Sequence, residues 1–432
     1  MMKKVTLIIA VFLTLAGYIN AQWRNDGFFP DINKDPLFKA QCNNAIAVDK
    51  EGKIWIGRYG NVTKFAKANG DSVKLSKGVY ITYVFNPDGS QASFSPIWHI
   101  MGDTMYSTTQ RGMRTNIDGN IILSTGFPAM YLIDYKTGQG LKKVLLPSTN
   151  GPNGPAVAGD GTIFIGTVFE GQRPVEMYDQ NFNLKGVAIE KAPGFSRTFE
   201  VSKDGNTIYW AGYTTGRVYV YNRADEFSQF TLKDSIMIGA HAESFAWRPN
   251  TNQLWISGGS NNDKPDPGSK FTIGTWYAYD VVKKQIVDSL KWNFVDPNKP
   301  DERPRGLAFS NDGKTAYIAQ FATSVGMVQK LTFTGSAVEK LDEIPTGYDL
   351  SQNYPNPFNP TTNIKFSIPK EGFVTLKVFN TLGQEVASLV NDFKSAGSYQ
   401  VDFDAKNLSS GVYVYTLSVG NYKISKKMML MK

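Results

Sequence analysis

The chain holds two histidines, His99 and His241, and one cysteine, Cys42. A zinc site built on several histidines is excluded, and a Ser-His-Asp arrangement would have to recruit one of these two. His99, in Pro96-Ile-Trp-His-Ile100, reads as a strand residue with no recognisable partner, and His241 as a hydrogen-bonded loop residue beside a strand. No phosphate-cradling glycine loop, dinucleotide fingerprint, nucleophile elbow or EF-hand loop occurs. Asn261-Asn-Asp-Lys-Pro-Asp266 is oxygen-rich enough for calcium but lacks the spacing of a calcium loop, so it reads as a solvated insertion and no cofactor is expected.

The charges that remain share one position of a repeat. Six copies align on their turns: NAIAVDKEGKIWIG (44–57), RGMRTNIDGNIILSTG (111–126), NGPAVAGDGTIFIGT (153–167), RTFEVSKDGNTIYWAG (197–212), ESFAWRPNTNQLWISG (243–258) and RGLAFSNDGKTAYIA (305–319). Their first residues, Asn44, Arg111, Asn153, Arg197, Glu243 and Arg305, are all polar. If the copies are equivalent, these side chains ring one mouth of a central channel. Three arginines with one glutamate favour a carboxylate, a phosphate or an acidic sugar, because guanidinium forks bind such groups bidentately. Further along the same strands, Arg114 and Glu200 interrupt a row of alanines (Ala47, Ala156, Ala246, Ala308). A charge in a crowded channel is costly unless paired or used, so the two form either a structural ion pair or a ligand contact.

The elements that position these residues follow from the repeat. Each copy is two β-rich runs around a turn whose Gly or Asn can take φ > 0, made in the fifth copy by Asn250-Thr-Asn252, and a third and fourth strand often follow, as in Arg217-Val-Tyr-Val-Tyr221 and Phe230-Thr-Leu232. Four strands per ~40–45 residues describe a propeller blade. The second position is always small (Ala45, Gly112, Gly154, Thr198, Ser244, Gly306), as strands crowding a narrow axis require. Trp55, Trp210 and Trp255 recur in the second strands, which points to packing between blades rather than to sugar-stacking platforms. Six blades over 42–334 is the preferred count; the long gaps from Asn44 to Arg111 and from Glu243 to Arg305 hold insertions or conceal a seventh.

Segments such as AFSNDGKTAYIA resemble blades of YVTN-type, NHL-type and gluconolactonase-type propellers. That resemblance implies architecture and carries over no catalytic residue. A gluconolactonase-like hydrolase would place a divalent cation on acidic and amide groups at the channel mouth. Asn44, Asn153, Glu200 and Glu243 have suitable oxygens, but three arginines in the same ring oppose a cation. The leading expectation is a non-enzymatic binding protein; the hydrolase is the alternative, and a scaffold engaging partners through loops such as 258–270 is a third reading.

Residues 335–347 change texture and read as a linker. Beyond it, Pro355, Pro357 and Pro360 impose a rigid extended arm, and alternating strands at 364–368, 373–379, 399–403 and 412–417 predict an immunoglobulin-like β-sandwich. NYPNPFNPTT, VFNTLGQEVASL, NLSSGVYVYTL and the closing KISKKMMLMK, in that order, resemble the type A sorting domain of the type IX secretion system. The resemblance covers 348–432. It implies recognition by that machinery at the outer membrane, a bacterium of the Bacteroidetes–Chlorobi kind, and a passenger released or attached to the surface.

Residues 1–21 place Lys3 and Lys4 before an apolar run from Val5 to Leu15 and end in small residues, the pattern of a secretory signal peptide. Residues 22–41 form an N-terminal segment ahead of the blades. No later stretch approaches the ~20 apolar residues of a membrane span, so no transmembrane segment is expected in the mature protein. Net charge is +8 with no basic run outside the C-terminal tail, which gives no footprint for nucleic acid. The expected class is all-β, a propeller followed by a sandwich, exported through the periplasm to the cell surface or beyond.

Overall fold

The computed structural model describes residues 23–30, 42–104, 109–126, 129–146, 151–168, 173–259, 271–295, 302–321, 328–334, 338–341, 345, 347–370, 372–394 and 396–432. The signal-peptide reading, the part of the N-terminal segment at 31–41 and the oxygen-rich loop at 261–266 lie outside these residues. Every element among the described residues is a β-strand, and none is a helix long and apolar enough to cross a membrane.

Six antiparallel sheets account for residues 23–333, and each of the six sequence copies supplies the first two strands of one sheet. The fourth sheet is typical, with Phe199–Val201, Thr207–Gly212, Arg217–Asn222 and Thr231–Ile236 paired in order. Each copy turns where expected, and the fifth turns through Asn250 at φ 61°, a left-handed conformation that asparagine tolerates better than most residues. The first strands lie side by side in cyclic order: Cys42–Val48, Gln110–Thr115, Ala156–Val157, Phe199–Val201, Phe245–Trp247, Arg303–Phe309, and back to Cys42–Val48.

Crowding at this inner ring explains the small second positions. A Cβ on Gly112 would sit 2.3 Å from the Gly154 Cα of the neighbouring strand. Outward from the ring the sheets pack face to face. Trp55 fills the gap between sheets one and two, Trp210 that between three and four, and Trp255 that between five and six. Each side chain is fully or almost fully buried, a gain on the order of 5 kcal/mol apiece before entropy at ~200 Å² of apolar area.

The long first gap is an insertion: the first sheet has three strands, and two small ribbons, Val62–Ala66 with Ser72–Val79 and His99–Ile100 with Asp103–Thr104, occupy the rest. Part of the 22–41 segment read as lying ahead of the blades belongs to the sixth sheet instead. Trp23–Phe28 pairs with Val328–Phe333 and becomes the outer strand of the sixth sheet. Trp23 anchors it, donating from Nε1 to Asp288 Oδ2 (3.1 Å) and packing on Trp255, Phe309 and Phe333.

The C-terminal module is two four-stranded antiparallel sheets across one core. Val374, Leu376, Val378, Tyr415 and Leu417 from one sheet meet Ile364, Phe366, Val401 and Phe403 from the other. Within the stretch read as a linker, Val338–Leu341 pairs with Gly397–Asp404 and extends the second of these sheets.

Candidate functional site

The cyclic order of the first strands brings most of the predicted charges together. A cavity of about 10 Å³, room for roughly one water, is lined by Arg111, Arg114, Arg197 and Glu243 with backbone from Gly112 and Gly154. Two tiers of charge bound it.

The inner tier is the Arg114–Glu200 pair. Arg114 Nε donates to Glu200 Oε1 at 2.7 Å, and its Nη2 donates to the Phe245 carbonyl at 2.9 Å. One side chain thus ties the second sheet to the fourth and fifth. Burial pushes the Glu200 carboxyl above its ordinary range, while the charge and hydrogen bond of Arg114 oppose that shift.

The outer tier is organised by Glu243, which is fully buried. Its Oε1 lies 2.7 Å from Arg197 Nε, and its Oε2 accepts from Arg305 Nε at 3.1 Å, so one carboxylate holds two arginines. The Ser257 hydroxyl accepts from the Glu243 and Ser244 amides and fixes the strand carrying that carboxylate. Arg111 sits beside Arg197; burial, then the Arg197 charge, lowers its pKa, and Tyr59 opposes them. These six side chains, Arg111, Arg114, Arg197, Arg305, Glu200 and Glu243, carry four positive and two negative charges.

Aromatic rings brace the outer arginines. The Arg197 guanidinium lies 5.1 Å from the Phe195 ring and 5.0 Å from that of Tyr213. Arg305 and Arg303 both lie over Phe321, against which Tyr59 packs edge-on at 4.6 Å. His241 joins this belt, with Nδ1 2.7 Å from the Tyr213 carbonyl oxygen. His99 is remote in the first sheet's insertion, stacked on Trp98.

Two ring members behave differently. Asn153 is only 1% exposed and its amide lies by Gly166, whose space it shares with Trp210, rather than in the cavity lining. Asn44 begins the first copy as expected, but its side chain lies outside the described residues. Sequence reasoning missed Arg303, Tyr59, Phe195, Tyr213 and Phe321, which fall just before or after the aligned copies.

A divalent cation does not fit this donor set. The carboxylates of Glu200 and Glu243 are held by guanidinium groups, and among the described residues no three His, Cys, Asp or Glu side chains come together. What the arrangement can do is hold an anion against arginine forks set by Glu200 and Glu243.

Comparison with known proteins bears chiefly on the C-terminal module. Residues 352–431 match the secretion system C-terminal sorting domain, and that module is a type IX sorting domain. Two uncharacterised proteins from strains of Staphylococcus epidermidis are 26% identical over 174 residues, which is 40% of this chain and 49% of theirs. The chain thus spans about half the length of the curated relatives it matches. A solved structure of PorZ, described as an essential bacterial surface component of the type-IX secretion system of Porphyromonas gingivalis, aligns with TM-score 0.41 and 11% identity, covering 90% of this chain and 52% of that one.

Proposed function

We propose that the chain is a binding protein exported by the type IX machinery to the cell surface or the medium, in which a six-bladed β-propeller is the passenger and its channel mouth takes an anionic ligand. The sorting domain carries the export half of this reading. Six sheets whose first strands follow one another in a closed circle, with the N-terminal strand completing the last, support the propeller.

One observation carries the binding half: a buried carboxylate, Glu243, spans Arg197 and Arg305, and Arg111 and Arg114 line the same cavity, so guanidinium groups outnumber carboxylates there. Glu243 acts as a positioning residue, and Arg111 and Arg197 are the contacts offered to the ligand. The cavity holds about one water, so a ligand's charged group would rest on the arginines at its rim, and the Arg114–Glu200 pair opposes a threaded chain.

The test is titration of the full-length protein with glucuronate and with inorganic phosphate, followed by calorimetry. Saturable binding that weakens with salt, and that Arg111→Ala/Arg197→Ala abolishes, is expected. Undiminished binding by that variant, or no saturable binding of either probe by the parent, rejects the mouth as the site. Removal of 348–432 is expected to leave the protein in the periplasm.

A further inference from the structure

Neighbouring first strands are tied together near their turns. Thr115 Oγ1 donates to the Val48 carbonyl (2.8 Å), Gly159 N to that of Lys203 (2.8 Å), Trp247 Nε1 to that of Val201 (2.9 Å), Arg248 Nε to that of Gly313 (3.0 Å) and Asn311 Nδ2 to that of Asp49 (3.0 Å). These bonds close the junctions of sheets one and two, three and four, four and five, five and six, and six and one. The junction of sheets two and three differs. Among the described residues, the turns 116–119 and 158–161 exchange no hydrogen bond, and a cavity of about 430 Å³ opens between them. That volume falls within the ~300–1,000 Å³ of small-ligand sites. The cavity lies at the opposite end of Gln110–Thr115 from Arg111 and is separate from the channel mouth.

The repeat shows which polar groups are spare at this junction. Asp118, Asp160, Asp204 and Asp312 hold the same position in their copies. Asp160 accepts from the Thr162 amide and hydroxyl, Asp204 from the Asn206 amide, and Asp312 from the Ser310 hydroxyl and the Lys314 amide, so each of these carboxylates fastens its own turn. In the second copy Asn116 does so instead, its Oδ1 accepting from the Asp118 and Asn120 amides at 3.1 and 2.8 Å. Two groups are thereby released. The exposed Asp118 carboxylate accepts from no described residue, and Asn116, itself only 8% exposed, has an Nδ2 group that donates to none. Both residues line the cavity.

The facing wall offers both donors and acceptors. Lys185 Nζ donates to Thr162 Oγ1 at 3.0 Å, and that hydroxyl donates to Asp160 Oδ2 at 2.8 Å; Lys142 Nζ donates to the Asn181 carbonyl, close to Asp179. Two of the three carboxylates thus have an ammonium group nearby. An occupant has to accept from Asn116 Nδ2 and donate to Asp118. A cationic amine offers no acceptor, an ionised carboxylate offers no donor and is repelled by Asp118, and the acidic side chains are not grouped as metal ligands. A hydroxyl group both donates and accepts. We propose that the junction of the second and third sheets is a second binding site, for a neutral saccharide, with neighbouring hydroxyls of a hexose bridging Asn116 and Asp118.

The test titrates the full-length protein by calorimetry with the methyl glycosides of glucose, galactose and mannose and with N-acetylglucosamine, at low and high salt, in the parent, Asp118→Ala, Asn116→Asp and Asp312→Ala. Asn116→Asp keeps the acceptor that holds the turn and removes only the Nδ2 donor. Saturable binding of at least one sugar, unchanged by salt, is expected, weakened about tenfold in Asp118→Ala and in Asn116→Asp. Asp118→Ala should keep the parent's unfolding midpoint, because its carboxylate fastens nothing, whereas Asp312→Ala should lower the midpoint and keep the parental affinity. Binding of none of the four sugars, parental affinity in both cavity variants, or an equal loss in Asp312→Ala overturns the proposal. Calcium binding that Asp118→Ala abolishes, with no sugar bound, overturns it in favour of a cation site.

Discussion

Replacing Glu243 by glutamine tests whether one carboxylate organises the mouth. Glutamine keeps the shape of the side chain and one acceptor oxygen, but removes the charge that faces Arg197 and Arg305. Breaking a buried pair by removing one partner costs about 3–5 kcal/mol. Two arginines depend on Glu243, which argues for the upper part of that range, but the Arg197 side chain is 23% exposed and water recovers part of the loss; Arg305 at 9% gains little. The expected cost is ~4 kcal/mol, which at ~2 °C per kcal/mol for a ring of this size lowers the midpoint by roughly 8 °C. The same change adds one positive charge to the mouth, so a small anion should bind about tenfold more tightly at low salt and restore part of the stability. The assay is differential scanning calorimetry with and without phosphate. In Glu243→Gln/Arg305→Met the second substitution should cost less than it does alone, with a coupling of ~1–3 kcal/mol. A midpoint drop below ~2 °C, or strict additivity in the double variant, would refute the reasoning.

Gly112→Ala drives a methyl group into the backbone of Gly154 and should cost ~1–3 kcal/mol, whereas the reciprocal Gly154→Ala meets the Gly112 Cα at an ordinary 3.7 Å and should be far milder; urea unfolding of both compares the two faces of one contact. The Asp179 carboxyl is held below its usual range by the Asn183 amide and side chain, in a turn where Asn181 also donates. Its contribution is therefore present above the unfolded pKa of ~4 and lost as pH falls through the lower folded value, so Asp179→Asn should lower the midpoint slightly at neutral pH, leave it unchanged at low pH, and thereby flatten the acid limb of a midpoint-against-pH curve.

The hairpins were legible because their signals are local. A glycine turn between two apolar runs lies within about fifteen residues, and even the fifth copy, which takes its left-handed residue at Asn250 instead, betrayed its turn by chemistry. The small second positions also announced the crowding that Gly112 and Gly154 display. Side-chain direction was harder to read. Asn153 occupies the predicted ring position yet its amide is drawn into the gap between sheets by the space above Gly166. The pairing of Glu243 with both Arg197 and Arg305 depends on how neighbouring strands are staggered around the axis, which no single repeat encodes. Trp23–Phe28 escaped notice for a related reason: WRNDGF is mostly polar, and its strand character comes from a partner at the far end of the ring.

That last pairing governs the order in which the molecule can assemble. Asn25 Nδ2 reaches Gln329 across 304 residues of sequence, and the edge of Val328–Phe333 stays open until Trp23–Phe28 arrives. The closing strand and its dock lie at opposite ends of residues 23–333, so the sixth sheet cannot be completed before that whole stretch of chain is available. A nascent chain in this condition exposes an unpaired, partly apolar strand edge, the surface most prone to wrong partners. Completion of the sixth sheet therefore requires both ends of this stretch: without Trp23–Phe28, Val328–Phe333 keeps an open edge.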